Sequence, residues 1–458
     1  MNMTLRDIAA ALGAAAPEGP AAGVAVSAVR TDSRLAAHGD LFFCLKGERF
    51  DAHDFAAQVA AAGAAAIVAS RAVPGVSCPV LLVDDTQAAL GRLARAWRER
   101  TRARVLALTG TAGKTTAKEL LAQTLERSLR VAKNHKNFNN QIGLPLSILA
   151  ADGNEDAWVM EVGISRPGDM QELGAIIAPD VALVLNIGPA HLQGLGDLAG
   201  VARNKAALLS FLKPGGVGLC SMDYPELWDA AQEACPGVVG FSARDSFAKY
   251  YARFEEPLPG GRGLYEVIID GQAFWAELPA CGAHFAENTA AVAAACHQMG
   301  RSADDIAEGL AAATLPDQRF CCRECGGWRI VDDTYNANPL SMRRSIEAAR
   351  LLAGKGELVL VLGDMKELGD DAASAHEELG RVVAAAKPAK VFFQGEFAAD
   401  LARGAAVEVI RVSDPAEVIA ALGGMNSGTA LVKGSRSCRM ELYTQALSQA
   451  LADAEGGK

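Results

Sequence analysis

Residues 105–116, VLALTGTAGKTT, carry the densest chemistry in the chain. An apolar run ends in Gly110-Thr111-Ala112-Gly113, and Lys114, Thr115 and Thr116 follow at once. Small residues in such a turn let backbone N–H groups approach phosphate oxygens. A lysine beside them reaches the outer phosphates, and the next hydroxyl can ligate Mg²⁺. The helix expected over 117–129 would aim its positive end at the same anion. The general phosphate-binding loop places its first glycine six residues before the lysine, where Leu108 stands. The spacing is therefore shorter than the general motif and narrows the family. A plain glycine-rich turn is the structural alternative, but Gly-Lys-Thr has few structural reasons to sit at a strand-to-helix junction.

Two further residues fall where an open α/β sheet forms its site, at the carboxyl ends of strands. Glu161 ends the apolar run 157–162, and His191 follows the run 181–187 in Gly188-Pro189-Ala190-His191. A carboxylate is an ordinary Mg²⁺ ligand and an imidazole a less usual one. Taken singly, each is equally a capping or surface residue; their joint placement beside a phosphate loop favours the site. Lys205 lies in a helix expected over 198–212, and from its position alone it reads as a solvated helix lysine. Cys321, Cys322 and Cys325 invite a metal reading, yet no second pair or histidine follows at zinc spacing. Their alternating stretch and Gly326-Gly327 read as a hairpin turn.

Elements that must position these groups divide the chain into three blocks. Residues 1–84 contain short strand-like runs at 25–30, 41–45, 65–69 and 79–83 and an alanine-rich helix, a small α/β domain. Residues 85–315 open with a helix over 87–100 and alternate buried strands with helices, which argues for a parallel sheet. Within this block, residues 247–278 are turn-rich and strand-rich, an antiparallel appendage. Residues 316–458 carry strands at 358–362, 390–393 and 430–432 between helices. That pattern predicts a second doubly wound, Rossmann-like sheet, without the G-x-G-x-x-G fingerprint.

Bulk properties bound the rest. A chain of 458 residues exceeds one core and calls for roughly two to four domains. The net charge of −10, from 54 acidic and 44 basic residues, implies no nucleic-acid surface. The longest uncharged stretch, 55–70, is shorter than the about 20 residues a membrane span needs and reads as a helix running into a buried strand. Ten scattered cysteines and a start that lacks the charge-then-apolar order of a signal peptide point to a reduced, cytoplasmic protein. A monomer is the default expectation.

Four segments taken together resemble the Mur ligase family in order and spacing: TGTAGKTT, NFNNQIGLPLSIL (137–149), EVGISRPGDM (161–170) and NIGPAHLQGLGDLAGVARNKAALL (186–209). These enzymes build the peptidoglycan precursor by ATP-driven amide-bond formation. DDTYNANPLSM (332–342), VLGDMKELG (361–369) and VKGSRSCRME (432–441) look like the members that add D-alanyl-D-alanine. TDSR (31–34), GDLFFCLKGERFDAHDF (39–55) and AAAGAAAIV (60–68) resemble their nucleotide-sugar domain, so the likeness spans all three blocks.

The resemblance implies a UDP-binding first domain, a central ATPase domain and a third domain that closes over the nucleotide. It implies ATP, UDP-N-acetylmuramoyl-tripeptide and D-Ala-D-Ala as substrates. By matching motif, residues 110–116 would bind ATP, with Lys114 on the β/γ-phosphates. Thr115, Glu161 and His191 would hold Mg²⁺. Lys205 would be carbamylated and serve a second Mg²⁺, which reverses its default reading. Asn288 would contact adenine, Asp333 the ribose and Arg319 the γ-phosphate. Ser33, Arg34 and Lys46 would meet the uridine diphosphate. Asn139 and Asn140 would line the muramoyl-peptide channel, and Tyr335, Asn336 and Asn338 the dipeptide site. The chain departs from the family pattern at Ala112, Phe285, Ala52 and Asp169, and Phe285 could offer adenine a stacking ring. The competing readings are a sister ligase that adds the third-position diamino acid and a P-loop phosphotransferase. DDTYNANP, and the lack of a D-N-P-R-like signature in the third block, argue against the first.

Overall fold

The computed structural model describes residues 1–189 and 192–456. Among them lie three sheets, one per block, in the three-domain α/β architecture expected. The first has four parallel strands in sequence order: β1 (Val29–Arg30), β2 (Leu41–Phe43), β3 (Ala66–Ala69) and β4 (Val80–Leu82). β2 and β3 are buried along their whole length, as a strand covered on both faces must be. The alanine-rich stretch is the helix Ala56–Ala61 running into β3.

The central sheet contains β5 (Arg104–Thr109), β6 (Val131–Lys133), β7 (Ala157–Glu161), β8 (Val181–Val184), β9 (Val217–Ser221), β10 (Val239–Ser242), β11 (Tyr250–Leu258), β12 (Arg262–Ile269) and β13 (Gln272–Leu278). Their order is β13-β12-β11-β10-β9-β8-β5-β7-β6. β5 runs parallel to β7 on one side and β8 on the other, so the chain leaves it in both directions. Such a switch point opens a crevice at the carboxyl ends of the strands, and the glycine-rich loop lies there. Leu106, Leu108 and Val159 pack beneath the helices Lys114–Glu126 and His284–Gln298. Val105, Ala107, Trp158 and Met160 fill the opposite face under Thr86–Arg100 and Gly143–Ala150.

Two expectations need correction. The central sheet is mixed, and its antiparallel strands are no separate appendage. β10 pairs in parallel with β11, and β11, β12 and β13 then fold back as hairpins that extend the same sheet. The strand expected to reach residue 187 stops at Val184. Beyond it Leu185 bonds back to Thr109, and Asn186 turns beneath the glycine-rich loop.

The third sheet holds β14 (Cys321–Cys325), β15 (Trp328–Asp332), β16 (Leu358–Gly363), β17 (Lys390–Gln394), β18 (Val409–Arg411) and β19 (Gly428–Lys433), in the order β14-β15-β19-β16-β17-β18. β14 and β15 form the expected hairpin, with Gly326 and Gly327 both at positive φ, 57° and 78°. Two consecutive residues in that region make glycine the natural choice. The remaining strands are parallel. Among the described residues no helix is long and apolar enough to cross a membrane.

Candidate active site

The glycine-rich loop, the end of β7 and the start of the third domain converge on one cleft. Gly113 caps the helix Lys114–Glu126 with φ 77°, and a Cβ there would come within 2.6 Å of the Asn288 amide oxygen. Glycine is thus required by backbone conformation and by space. Asn186 sets the loop from below. Its Oδ1 accepts from the backbone N–H groups of Thr111 and Ala112 at 3.0 and 2.8 Å, and its Nδ2 donates to the Ala112 carbonyl.

Glu161 is 2% exposed at the end of β7 and is held on every side. Its backbone N–H donates to Asn134 Oδ1, and Asn134 Nδ2 returns a bond to the Glu161 carbonyl. Lys118, wholly buried, donates to the carbonyls of Asn134 and Lys136 and fixes that loop. The Glu161 carboxylate accepts from Asn139 Nδ2 at 2.6 Å and from Thr115 Oγ1 at 2.9 Å. The Thr115 hydroxyl and the Glu161 carboxylate thus stand together at the phosphate loop, oxygen donors of the kind a hard divalent cation takes.

Lys114 Nζ and Lys205 Nζ both donate to the Gly110 carbonyl, at 2.9 and 3.0 Å. The solvated reading of Lys205 is therefore overturned: it is 2% exposed. Burial, with the Lys114 cation beside it, holds its amine well below the ordinary lysine value. Burial also lowers Lys114, while the Glu161 carboxylate pulls it back up. Two ammonium groups on one buried carbonyl repel each other, so the arrangement favours one of them being uncharged.

Arg319 crosses from the third domain. Its Nη2 donates to Thr115 Oγ1 at 3.1 Å, and its guanidinium lies 3.8 Å from the centroid of the Tyr335 ring. Gln318 and Phe320 on either side are at φ 62° and 60°, strained for non-glycine residues. Asp333 Oδ2 accepts from Lys433 Nζ and Ser345 Oγ, both at 2.6 Å. Burial lowers Lys433, and Asp333 opposes that shift. Asn288 lines the cleft with a buried Oδ1 that has no hydrogen-bond partner among the described residues.

A second contact joins the two domains. Arg344, on the helix Pro339–Ala353, donates at 2.7 Å to the buried Glu287 carboxylate and at 2.7 Å to the Tyr224 hydroxyl. Asn186 Nδ2 donates to the same Glu287 oxygen at 3.0 Å. Burial pushes the Glu287 carboxyl up, and Arg344 draws it back.

Of the other expected residues, Asn139, Asn140, Tyr335, Asn336 and Asn338 line the cleft. Asn139 lines the cleft but spends its side chain on Glu161. Asn140 lines it too, yet its Oδ1 accepts from Ile142 and Gly143 N–H and shapes the next helix start. Asn338 is the N-cap of Pro339–Ala353, bonded to Ser341. Phe285 is 4% exposed, tilted on His284 at 4.1 Å and edge-on to Phe320, so its ring is already packed. Ser33, Arg34 and Lys46 do not line the cleft; Arg34 is exposed and forks onto Asp32. His191 lies outside the described residues. Sequence reasoning missed Asn134, Lys118, Asn186, Glu287, Arg344 and Lys433. Asn186 and Lys118 sit inside or beside the quoted motifs, so only their burial and their partners were hidden.

Comparison with known proteins follows this geometry. Residues 108–296 match the Mur ligase middle domain, 318–436 the Mur ligase glutamate ligase domain and 25–98 the Mur ligase family catalytic domain. The UDP-N-acetylmuramoyl-tripeptide–D-alanyl-D-alanine ligase of Bacillus subtilis (strain 168) is 36% identical over 83% of this chain and 82% of its own length. The chain belongs to the Mur ligase family. Among solved structures of such ligases, MurF from Acinetobacter baumannii aligns with a TM-score of 0.90 at 31% identity, covering 98% of this chain and 99% of that one. MurF ligase from Thermotoga maritima in complex with ADP aligns at 0.85 and 30%, covering 93% and 98%. The two solved structures are covered over nearly their whole length.

Proposed function

We propose that the chain is the ATP-dependent ligase that joins D-alanyl-D-alanine to UDP-N-acetylmuramoyl-tripeptide, giving the UDP-linked pentapeptide, ADP and phosphate. The observation that carries this reading is Arg319 reaching across a domain boundary to Thr115 beside Glu161, with Lys114 in the same cleft. That set can neutralise a triphosphate while a carboxylate approaches it, which is the electrostatic problem of carboxylate activation. It acts in the cytoplasm, where ATP and nucleotide-linked precursors are available.

The residues fit both nucleotide and metal. Backbone N–H groups of residues 110–114 cradle the phosphates, Lys114 takes the β/γ oxygens, and the unpartnered Asn288 Oδ1 accepts from the adenine amino group. Asp333 meets the ribose. Thr115 and Glu161, with His191, would hold Mg²⁺, which would supply positive charge against the phosphates. A buried neutral amine at Lys205 is the form that adds to CO₂. The carbamate, formed with release of a proton, would replace the clash with Lys114 by an attraction and would offer oxygens to a second Mg²⁺.

In the reaction the terminal carboxylate of the tripeptide attacks the γ-phosphorus and ADP leaves. The amine of D-Ala-D-Ala then attacks the acyl-phosphate carbonyl, and the tetrahedral intermediate expels phosphate. Arg319 and Lys114 stabilise charge on the transferred group, and closure of the third domain excludes water. Ser33, Arg34 and Lys46 receive the uridine diphosphate on the first domain, and Asn139 and Asn140 flank the peptide. Tyr335, Asn336 and Asn338 border the dipeptide. The decisive assay is ADP release with UDP-MurNAc-tripeptide, with and without D-Ala-D-Ala. Release that requires the dipeptide is expected; equal release without it ends this reading in favour of a phosphotransferase.

A further inference from the structure

The glycine-rich loop is held from below by the side chain of Asn186, and that side chain is held in turn from the third domain. Asn186 Oδ1 accepts from the Thr111 and Ala112 N–H groups at 3.0 and 2.8 Å, and the Thr111 N–H also reaches the Asn186 carbonyl at 3.1 Å. On the other side of the amide, Nδ2 donates to the Ala112 carbonyl and to Glu287 Oε2, each at 3.0 Å. Glu287 Oε2 accepts in addition from Arg344 Nη2 at 2.7 Å. An unbroken hydrogen-bonded path therefore runs from a third-domain helix to the amides of the phosphate loop.

The path is dry. Asn186 and Glu287 are 0% and 3% exposed, and the Arg344 side chain 15%. Away from water each of these bonds is stronger and each unanswered group more costly. The same helix meets the same segment a second time. Leu340 stands one turn before Arg344 on Pro339–Ala353, so the two share a face. A Cβ at Gly188 would come within 3.1 Å of Leu340 Cδ2 and 3.6 Å of Thr111 Cγ2, so Leu340 closes on Gly188 beside the loop.

An amide side chain also has a direction. The loop N–H groups need the oxygen of Asn186, and a carboxylate, which only accepts, holds the NH₂ end the other way. Burial works against the ionised form of Glu287, and the Arg344 guanidinium works for it.

We propose that Glu287 is a positioning residue for the phosphate loop, engaged by Arg344 when the third domain docks, so that docking and nucleotide binding strengthen each other. It acts through Asn186. When Arg344 withdraws, the buried carboxylate loses its cation, its hold on Asn186 Nδ2 weakens, and the Thr111 and Ala112 N–H groups lose a fixed acceptor. Such coupling is reciprocal: nucleotide on the loop favours the docked third domain as much as docking favours nucleotide. The inference rests on the reading of residues 110–116 as the seat of the nucleotide.

The test takes two measurements on the full-length protein. Amide hydrogen exchange without nucleotide should quicken at residues 110–113 in Arg344→Ala and in Glu287→Gln. Quickening confined to the surroundings of 224, 287 and 344 is the mark of a contact that merely joins the domains, and it overturns the proposal. Titration with ADP and Mg²⁺ should show Arg344→Ala weakening binding about fivefold or more, the low end of coupling between sites, with Arg344→Lys retaining part of the affinity. Arg344 also lines the nucleotide cleft, so its direct contribution must be separated. In an Asn186→Ser background the path is already cut, and Arg344→Ala should then cost less than about twofold, the spread of independent sites. An undiminished loss in that background means that Arg344 acts on the nucleotide by another route, and it overturns the proposal. The exchange measurement requires no change at Asn186, so it decides the matter even where the serine variant does not fold. Wild-type protein that binds no ADP sinks the nucleotide reading instead.

Discussion

The two halves of the cleft are built on different principles. In the central half, Glu161, Thr115 and the glycine-rich loop are set by residues of their own domain: Asn134, Asn139, Lys118 and Asn186 fix them through buried hydrogen bonds. In the other half, Arg319 and Arg344 reach the site from another domain and do so by a few contacts. A frame fixed inside one sheet keeps its geometry whatever the third domain does. A contribution that crosses a boundary exists only when the domains are closed, so chemistry can be tied to closure.

Breaking the frame should have the largest effect. Lys205→Ala removes a buried group at the loop carbonyl, and kcat should fall about a hundredfold to a thousandfold, the usual cost of losing one preorganised charge-stabilising group. A short added carboxylate such as acetate should restore part of the rate, and bicarbonate depletion should slow only the wild type. Wild-type turnover indifferent to bicarbonate, together with no rescue, would count against the carbamate.

Breaking the boundary should come next. Arg344→Ala leaves Glu287 buried without its cation, and loss of one partner of a buried pair costs about 3–5 kcal/mol. We expect lower kcat/KM and a lower melting temperature for Arg344→Ala. A double-mutant cycle with Glu287→Gln should give a coupling of about 1–3 kcal/mol. Additive effects would mean that the contact does not link the domains.

The smallest effect sharpens the third-domain side. His376 is buried, stacks on Phe397, accepts from Met365 N–H through Nε2 and meets the Ala372 carbonyl through Nδ1. Burial lowers its value below the ordinary 6.5. The folded state therefore binds fewer protons than the unfolded one as pH falls. The stability this gives is present above about 6.5 and is lost as pH drops through that value toward the folded one. Thermal melts between pH 7.5 and 5.5 should show a decline that His376→Gln reduces; an equal decline in both proteins would remove His376 as its cause.

Much of the fold was legible because the signals were local. Buried parallel strands read as apolar runs, the glycine-rich loop as a spacing, and the β14–β15 hairpin as two glycines in a row. The central sheet's antiparallel extension was legible as strands but not as a continuation, since pairing of β10 with β11 joins segments whose hydrogen bonds leave no mark on composition. The site divided in the same way. Lys114, Thr115 and Glu161 could be named from motif and strand end. Asn140 and Asn338, expected at the substrate, line the cleft and also accept backbone N–H groups at a helix start, since an asparagine that can touch a ligand can equally satisfy its own backbone.

By itself the sequence determined the class of chemistry: a triphosphate loop, a carboxylate at the next strand end, and three α/β blocks to carry them. Tertiary structure decided the charge states and the partnerships. A lysine that looks solvated along a helix becomes buried against the Gly110 carbonyl, and an arginine from residue 344 closes on a glutamate at 287. Desolvation and pairing depend on what surrounds a group in space, and neighbours brought together by folding are far apart in the chain.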